Sequence, residues 1–305
     1  MDFPDMRRFP AWLLVLFVSV SIVHAQSLAP APSLHARSAI LLDFESGAVL
    51  LEQDADIAIP PASMTKLMTL HLAYEDIRAG KADGNDIVTI GGHDWLNSLP
   101  AAATRIYLAP GHQISVQELM QATAIPSAND AALVLAHHLG GTLDAFVERM
   151  NTEAAALGLA NTRFFDPTGI SSQNTTTARD FAAFSRAYVA AHPESLAELH
   201  SCQSIDYPRP RNVPGATPAS VRGATFYNHN LLLAKYPGVD GLKTGYIRKS
   251  GYNLAFTAQR NGRRLIAVVM GISAKSLEAG QQKVYEDGKA LLDYGFAVLE
   301  TQQYQ

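Results

Sequence analysis

Apolar positions between residues 38 and 51 run almost unbroken on either side of Glu45-Ser46-Gly47, which predicts two strands, 38–44 and 48–51, joined as a hairpin. Pro60-Pro61 then stops the extended chain. Leu67, Leu70, His71 and Tyr74 recur at helical spacing up to Gly80, so Ser63 is expected to open a helix. Ser115-Val116-Gln117-Glu118 has the form of a capping box ahead of a helix that Pro126 ends. A further helix is expected over residues 129–139, stopped by Gly140-Gly141. Two more follow, over 143–157 and 177–191, the second opened by Thr177-Ala178-Arg179-Asp180 as another capping box. The proline-rich stretch 201–221 has little periodicity and reads as irregular structure or a short sheet excursion. Residues 251–258 and 265–270 flank Asn261-Gly262, a strong antiparallel hairpin signal, and a last helix is expected over 277–292. Strands at both ends around a helical middle predict an α+β layer fold, with one antiparallel sheet formed by both ends of the chain and a helical sub-lobe from the middle.

The N-terminus departs from that pattern. Arg7 and Arg8 precede an apolar run over 11–23 that ends in Val23-His24-Ala25, as in a secretory signal peptide cleaved near Ala25. A retained anchor is the alternative, but the run falls short of the roughly 20 apolar residues of a spanning helix. The expected organisation is a signal peptide over 1–25, a flexible lead-in over 26–36 and one domain over 37–300. No C-terminal β domain or membrane anchor is expected, and the location is periplasmic or secreted. Cys202 is the only cysteine, so no internal disulfide can form in an oxidising compartment.

With 305 residues, 48% of them hydrophobic, the chain can bury a large core. A formal net charge of −4 supplies no basic field for a phosphate backbone, so no nucleic acid partner is expected. No HExxH helix and no CxxC pair occurs among the ten histidines and one cysteine, so no metal and no other cofactor is expected. His137-His138 reads as surface or core filling.

Chemistry enters with three short clusters. A serine hydroxyl needs a base within hydrogen-bond reach, and positions i and i+3 of a helix share one face, so Ser63 and Lys66 can meet. A lysine serves as a base only when burial or a nearby cation lowers its pKa. Lys243-Thr244-Gly245 would supply that cation, with a hydroxyl and a glycine that lets substrate approach the backbone. Ser127-Ala128-Asn129 adds a hydroxyl able to relay a proton and an amide able to bind a carbonyl. Singly such patterns arise by chance about once per one or two chains; the information lies in the set and its order. Ser172-Gln173-Asn174 and Lys249-Ser250-Gly251 repeat the letters. Ser127 is preferred because it follows Pro126 and opens an apolar helix, and Lys243 because Lys249 lies in a turn.

The segments 61–69, 127–131 and 241–246 resemble the D-alanyl-D-alanine carboxypeptidase family of low-molecular-mass penicillin-binding proteins, with further similarity at 161–169, 177–180 and 291–296. The resemblance covers about residues 37–297 and implies a β-lactamase/transpeptidase-like fold. It implies that Ser63 attacks the carbonyl between two D-alanines of a peptidoglycan stem peptide, with Lys66 as general base and Ser127 relaying the proton to the leaving amine. Asn129 would hold the stem peptide and Lys243 and Thr244 the terminal carboxylate, with Gly245 also in the substrate-binding set. The backbone N–H groups of Ser63 and Tyr246 would form the oxyanion hole. β-Lactam antibiotics would act as inhibitors. Ala128 stands where the family usually has glycine. Val284, beside Lys283, stands where relatives often have a carboxylate-binding arginine, a task that would then fall to Lys283 or Arg248.

A D,D-endopeptidase of the same family, cutting crosslinks between stem peptides, is the nearest alternative. A β-lactamase would need a Glu-x-x-Leu-Asn loop, which does not occur, and no Gly-x-Ser-x-Gly elbow marks an α/β-hydrolase. A non-catalytic wall-binding or sensor domain is the alternative of another class.

Overall fold

The computed structural model describes residues 30–302, so the signal segment and the first residues of the lead-in lie outside the described residues. β1 (Ser38–Asp43) and β2 (Val49–Gln53) form the expected hairpin, and a 3-10 turn (Ala62–Thr65) leads into α1 (Lys66–Arg78). β3 (Ile87–Thr89), the one-turn α2 (Asp94–Asn97) and β4 (Gln113–Ser115) come next. The helical middle is α3 (Val116–Ala124), α4 (Asn129–Gly140), α5 (Leu143–Ala156) and α6 (Ala178–Ala191). The proline-rich stretch leads to a small sheet of β5 (Ser204–Tyr207) and β6 (Ala224–Tyr227), then to a short α7 (Leu232–Lys235). β7 (Val239–Ile247), β8 (Gly251–Arg260), β9 (Arg263–Ile272) and α8 (Leu277–Gln302) follow.

The main sheet has five antiparallel strands in the order β2-β1-β9-β8-β7, so both ends of the domain share it. β9 lies at its centre, and its unbroken apolar run has a simple cause: both faces are covered. Ile266, Val268 and Met270 face the core built with α1 and α6, whereas Leu265, Ala267 and Val269 face Leu291, Leu292 and Phe296 of α8. Each such side chain contributes about 1.5–3 kcal/mol on burial. Asn261 and Gly262 both take positive φ, 51° and 76°, as a two-residue hairpin turn requires.

Three expectations change. The box at Ser115 and Glu118 closes in both directions, but that at Thr177 closes in only one. Asp180 instead accepts from Asn161 N (2.7 Å) and Thr162 Oγ1 (2.9 Å), tying the loop after α5 to α6. α8 runs to Gln302 rather than ending at Leu292, because Phe296, Val298 and Leu299 still find cover. The lead-in is tied down before Arg37, since Asp287 accepts from the backbone N–H of His35 (2.9 Å) and Ala36 (2.8 Å). β3 and β4 are too short for alternation to show in a sequence. No helix among the described residues is long and apolar enough to cross a membrane.

Candidate active site

Ser63 lies in the 3-10 turn just ahead of α1, pressed between two glycines. A Cβ on Gly169, whose φ is +86°, would fall 1.8 Å from Ala62 O, and one on Gly245 would fall 2.5 Å from Pro61 O. Both glycines are therefore demanded by close approach to the serine turn itself. For Gly245 this adds a second cause to the one read from the sequence: the missing side chain also lets strand β7 reach the nucleophile's backbone.

Lys66 begins α1 and is fully buried. Its Nζ lies 3.0 Å from Ser63 Oγ and donates to Asn129 Oδ1 (2.7 Å) and Thr168 O (2.6 Å). A neutral amine has two hydrogens and one lone pair. The two outer acceptors take the hydrogens and leave the lone pair for the serine hydroxyl. Burial brings Lys66 down from 10.5 to about 7, against the pull of Asp166 and Asp130. The sequence argument gave this task to a second cation, and the structure assigns the largest share to desolvation.

Asp166 shapes the wall that supplies Thr168 O. Its carboxylate accepts from Thr168 N (2.6 Å), Gly169 N (2.7 Å) and Ser171 N (2.8 Å), folding 166–171 into a compact turn. Sequence reasoning missed this role, although Asp-Pro-Thr-Gly is itself a turn signature.

Ser127 is buried in a left-handed conformation (φ 62°) just before α4. Such a conformation costs a non-glycine residue about 1–2 kcal/mol. Ala128 caps α4 with φ −64°, which any residue adopts, so the glycine usual in relatives is not needed for conformational freedom. Asn129 is occupied at both ends of its amide: Oδ1 accepts from Lys66 and Nδ2 donates to Thr104 O (3.0 Å). Asp130 pins the same loop by accepting from Ile106 N (3.2 Å) and Leu108 N (3.0 Å). Burial raises its carboxyl above the usual range despite these bonds.

A cavity of about 600 Å³ opens between these elements, lined by Ser63, Ser127, Asn129, Thr244, Gly245 and Tyr246 among others. Lys243 is buried behind the wall, with Nζ donating to Thr244 O (3.2 Å). Burial first, and Lys66 second, hold its pKa well below the ordinary lysine value. The structure thus places Ser63, Ser127, Asn129, Thr244, Gly245 and Tyr246 around one cavity, with Lys66 and Lys243 behind the lining. It adds His229, which no motif marked; although its surface is exposed, desolvation at the cavity and the nearby Lys243 and Lys66 lower its pKa and favour the neutral form at pH 7.

Val284 lines the cavity and Arg248 joins it, whereas Lys283 is bonded to Ser273 O (2.8 Å) and lies outside the lining. Of the two stand-ins considered for the usual arginine, only Arg248 reaches the cavity. The rejected repeats meet each other instead: Lys249 Nζ donates to Ser172 O (3.2 Å) at the surface. Asn174 is buried and braces Phe165 N (2.7 Å) and Thr65 Oγ1 (3.1 Å).

One His/Glu cluster forms that no sequence spacing announced. Ligand-type atoms of His71, Glu75 and His192 lie within 4.8 Å of one another. Hydrogen bonding accounts for them. Arg78 donates to His192 Nδ1 (2.9 Å), His192 Nε2 lies 2.8 Å from His71 Nδ1, and His71 Nε2 lies 3.1 Å from Glu153 Oε1. One direction satisfies every ring nitrogen: from Arg78 through both neutral imidazoles to Glu153. A cation there would have to displace a guanidinium that also pairs with Glu75 (2.8 Å).

Comparison with known proteins gives the same picture. Residues 25–274 match the model of a family described as D-alanyl-D-alanine carboxypeptidase. D-alanyl-D-alanine carboxypeptidase DacC of Escherichia coli is 34% identical over 291 residues, covering 94% of this chain and 68% of that protein. Penicillin-binding protein 5 of Haemophilus influenzae superposes with a TM-score of 0.78 at 32% identity, over 88% of this chain and 73% of that one. Penicillin-binding protein D2 of Listeria monocytogenes, solved with cefotaxime bound, superposes with a TM-score of 0.73 at 30% identity, over 88% of this chain and all of that one. The β-lactamase/transpeptidase-like fold expected from the motifs is the observed one, and the chain belongs to the D-alanyl-D-alanine carboxypeptidase family.

Proposed function

We propose that this chain is a serine-type D-Ala-D-Ala carboxypeptidase that removes the terminal D-alanine of peptidoglycan stem peptides through an acyl-enzyme on Ser63. The observation that carries the proposal is the placing of Lys66 Nζ within hydrogen-bond distance of Asn129 Oδ1, Thr168 O and, at 3.0 Å, Ser63 Oγ: the neutral amine gives its two hydrogens to the first two and turns its lone pair to the serine. Lys66 Nζ takes the hydroxyl proton while Ser63 Oγ bonds to the carbonyl carbon between the two D-alanines. The oxyanion is received by the backbone N–H groups of Ser63 and Tyr246. Ser127 relays the proton now on Lys66 to the departing amine, the C–N bond breaks, D-alanine leaves and Lys66 is neutral again. Water then attacks the ester, with Lys66 again accepting a proton, and Ser63 is regenerated.

Lys243 and Thr244 receive the terminal carboxylate of the substrate. Two buried lysines near each other oppose each other's charge, and an arriving carboxylate favours the protonated form of Lys243. Asn129 borders the stem peptide while holding Lys66 in place. β-Lactams, which carry a carboxylate beside a strained amide, acylate Ser63 by the same route, as the cefotaxime complex of the Listeria protein supports. The segment over 1–25 directs export and is removed near Ala25, so the enzyme works in the periplasm or outside the cell.

The deciding experiment incubates the mature protein with a monomeric pentapeptide muropeptide and with a crosslinked dimer, and identifies the products by mass. Release of D-alanine from the monomer alone is expected. Cleavage of the dimer assigns the protein to the D,D-endopeptidases. No product from either, or full D-alanine release by Ser63→Ala, overturns the proposal.

A further inference from the structure

The lining of the cavity is sparing with charge. Among the described residues it contains no carboxylate and a single charged side chain, Arg248. Lys66 and Lys243 are buried behind the wall, and His229 is neutral. Arg248 is exposed and has no hydrogen bond or ion pair among the described residues, whereas its neighbour Lys249 is bonded to Ser172 O and Lys283 to Ser273 O.

The position of Arg248 along the sheet indicates what it meets. β7 is the outer strand, so one of its edges is free to pair with an extended peptide. Ser63 stands over Gly245, whose backbone touches the serine turn. Thr244 lies one step to one side of that point. Arg248, the first residue of the turn after β7 ends at Ile247, lies three residues to the other, at most about 10 Å away at about 3.3 Å per residue. A peptide running antiparallel to β7, its terminal carboxylate toward Lys243 and Thr244, carries its acyl-donor half past Tyr246 toward Arg248. The terminal carboxylate then lies at the other end: Thr244 to Ile247 is about 10 Å of strand, and Arg248 opens the turn beyond it.

We infer that Arg248 is a specificity residue that reads an anionic group on the acyl-donor half of the substrate, one or two residues upstream of the residue that acylates Ser63. The matching substrates are stem peptides that carry a free side-chain carboxylate, rather than its amide, at that position. The inference rests on the proposed carboxypeptidase reading and extends it to the substrate class.

The test uses two synthetic peptides ending in D-Ala-D-Ala, identical except that the upstream side chain ends in a carboxylate or in a carboxamide. The wild-type protein is expected to favour the carboxylate about tenfold in kcat/KM, through KM, the worth of one charge-assisted pair. Arg248→Gln brings the ratio near one, Arg248→Lys restores part of it, and Lys249→Gln keeps the wild-type ratio. A preference that survives in Arg248→Gln, or an equal loss on both peptides, overturns the role of Arg248 alone. Absence of D-alanine release from both peptides by the wild-type protein overturns the carboxypeptidase reading and this one with it.

Discussion

Among the buried ionisable side chains of helix α1, Lys66 in its first turn and His71 in its second serve opposite ends. Lys66 faces the cavity side with both hydrogens engaged and its lone pair turned to Ser63. His71 faces away, and each of its ring nitrogens has a partner, in His192 and in Glu153. Burial depresses Lys66 and the partner histidine alike: Lys66 to about 7 and His192 to about 3. A shifted pKa therefore does not single out the reactive group. The difference is one unfilled valence beside a space that admits a substrate.

The comparison breaks if the two regions respond alike to substitution. Lys66→Ala is expected to lower the acylation rate by about 10³-fold, within the usual range for a general base, with the fold kept by circular dichroism. Its natural counterpart is a pH profile. Lys66 must be neutral to act, so penicillin acylation of the wild-type protein should rise with pH through about 7 and fall away below it.

Gly169→Ala tests the frame around the serine. The added methyl would meet Ala62 O, so the turn must shift, and misplacement by about 1 Å costs about 10²-fold in rate. Stopped-flow acylation measures it; a rate within twofold of wild type would show that the turn tolerates displacement.

The smallest effect on chemistry is expected at the far side of α1. His192→Ala leaves Arg78 and His71 without their shared partner, a loss of about 1–3 kcal/mol in stability with acylation nearly unchanged. The sign of its pH dependence is set by the depressed pKa of the folded state. His192 is neutral when folded and takes up a proton when unfolded, so its contribution is present above 6.5 and lost as pH falls toward about 3. Thermal melts over that window should fall more steeply for the wild-type protein than for His192→Ala. An equally steep fall in both would place the acid sensitivity elsewhere.

Much of this was legible in local sequence. The β1–β2 and β8–β9 hairpins, the capping box at Ser115 and the i, i+3 placing of Ser63 and Lys66 depend on neighbours a few residues apart, and periodicity or turn chemistry reads them directly. α8 was read short because its last apolar residues matter only against a sheet assembled from both ends of the chain. The second capping box failed because the Asp180 carboxylate found better donors in the loop at Asn161 and Thr162.

The sequence by itself determined the α+β order, the three clusters and their common chemistry, since each is a matter of residue type at short spacing. Only the tertiary structure decided which duplicate letters count, sending Lys249 to the surface with Ser172 and Lys243 into the interior. It also gave Gly245 a second task as a seat for the serine turn, and moved the cause of a poised Lys66 from a second cation to burial. The physical reason is common to all three. Desolvation, close backbone approach and the filling of a valence depend on what packs alongside, and for Lys66 that includes Asn129 and Thr168, 63 and 102 residues away along the chain.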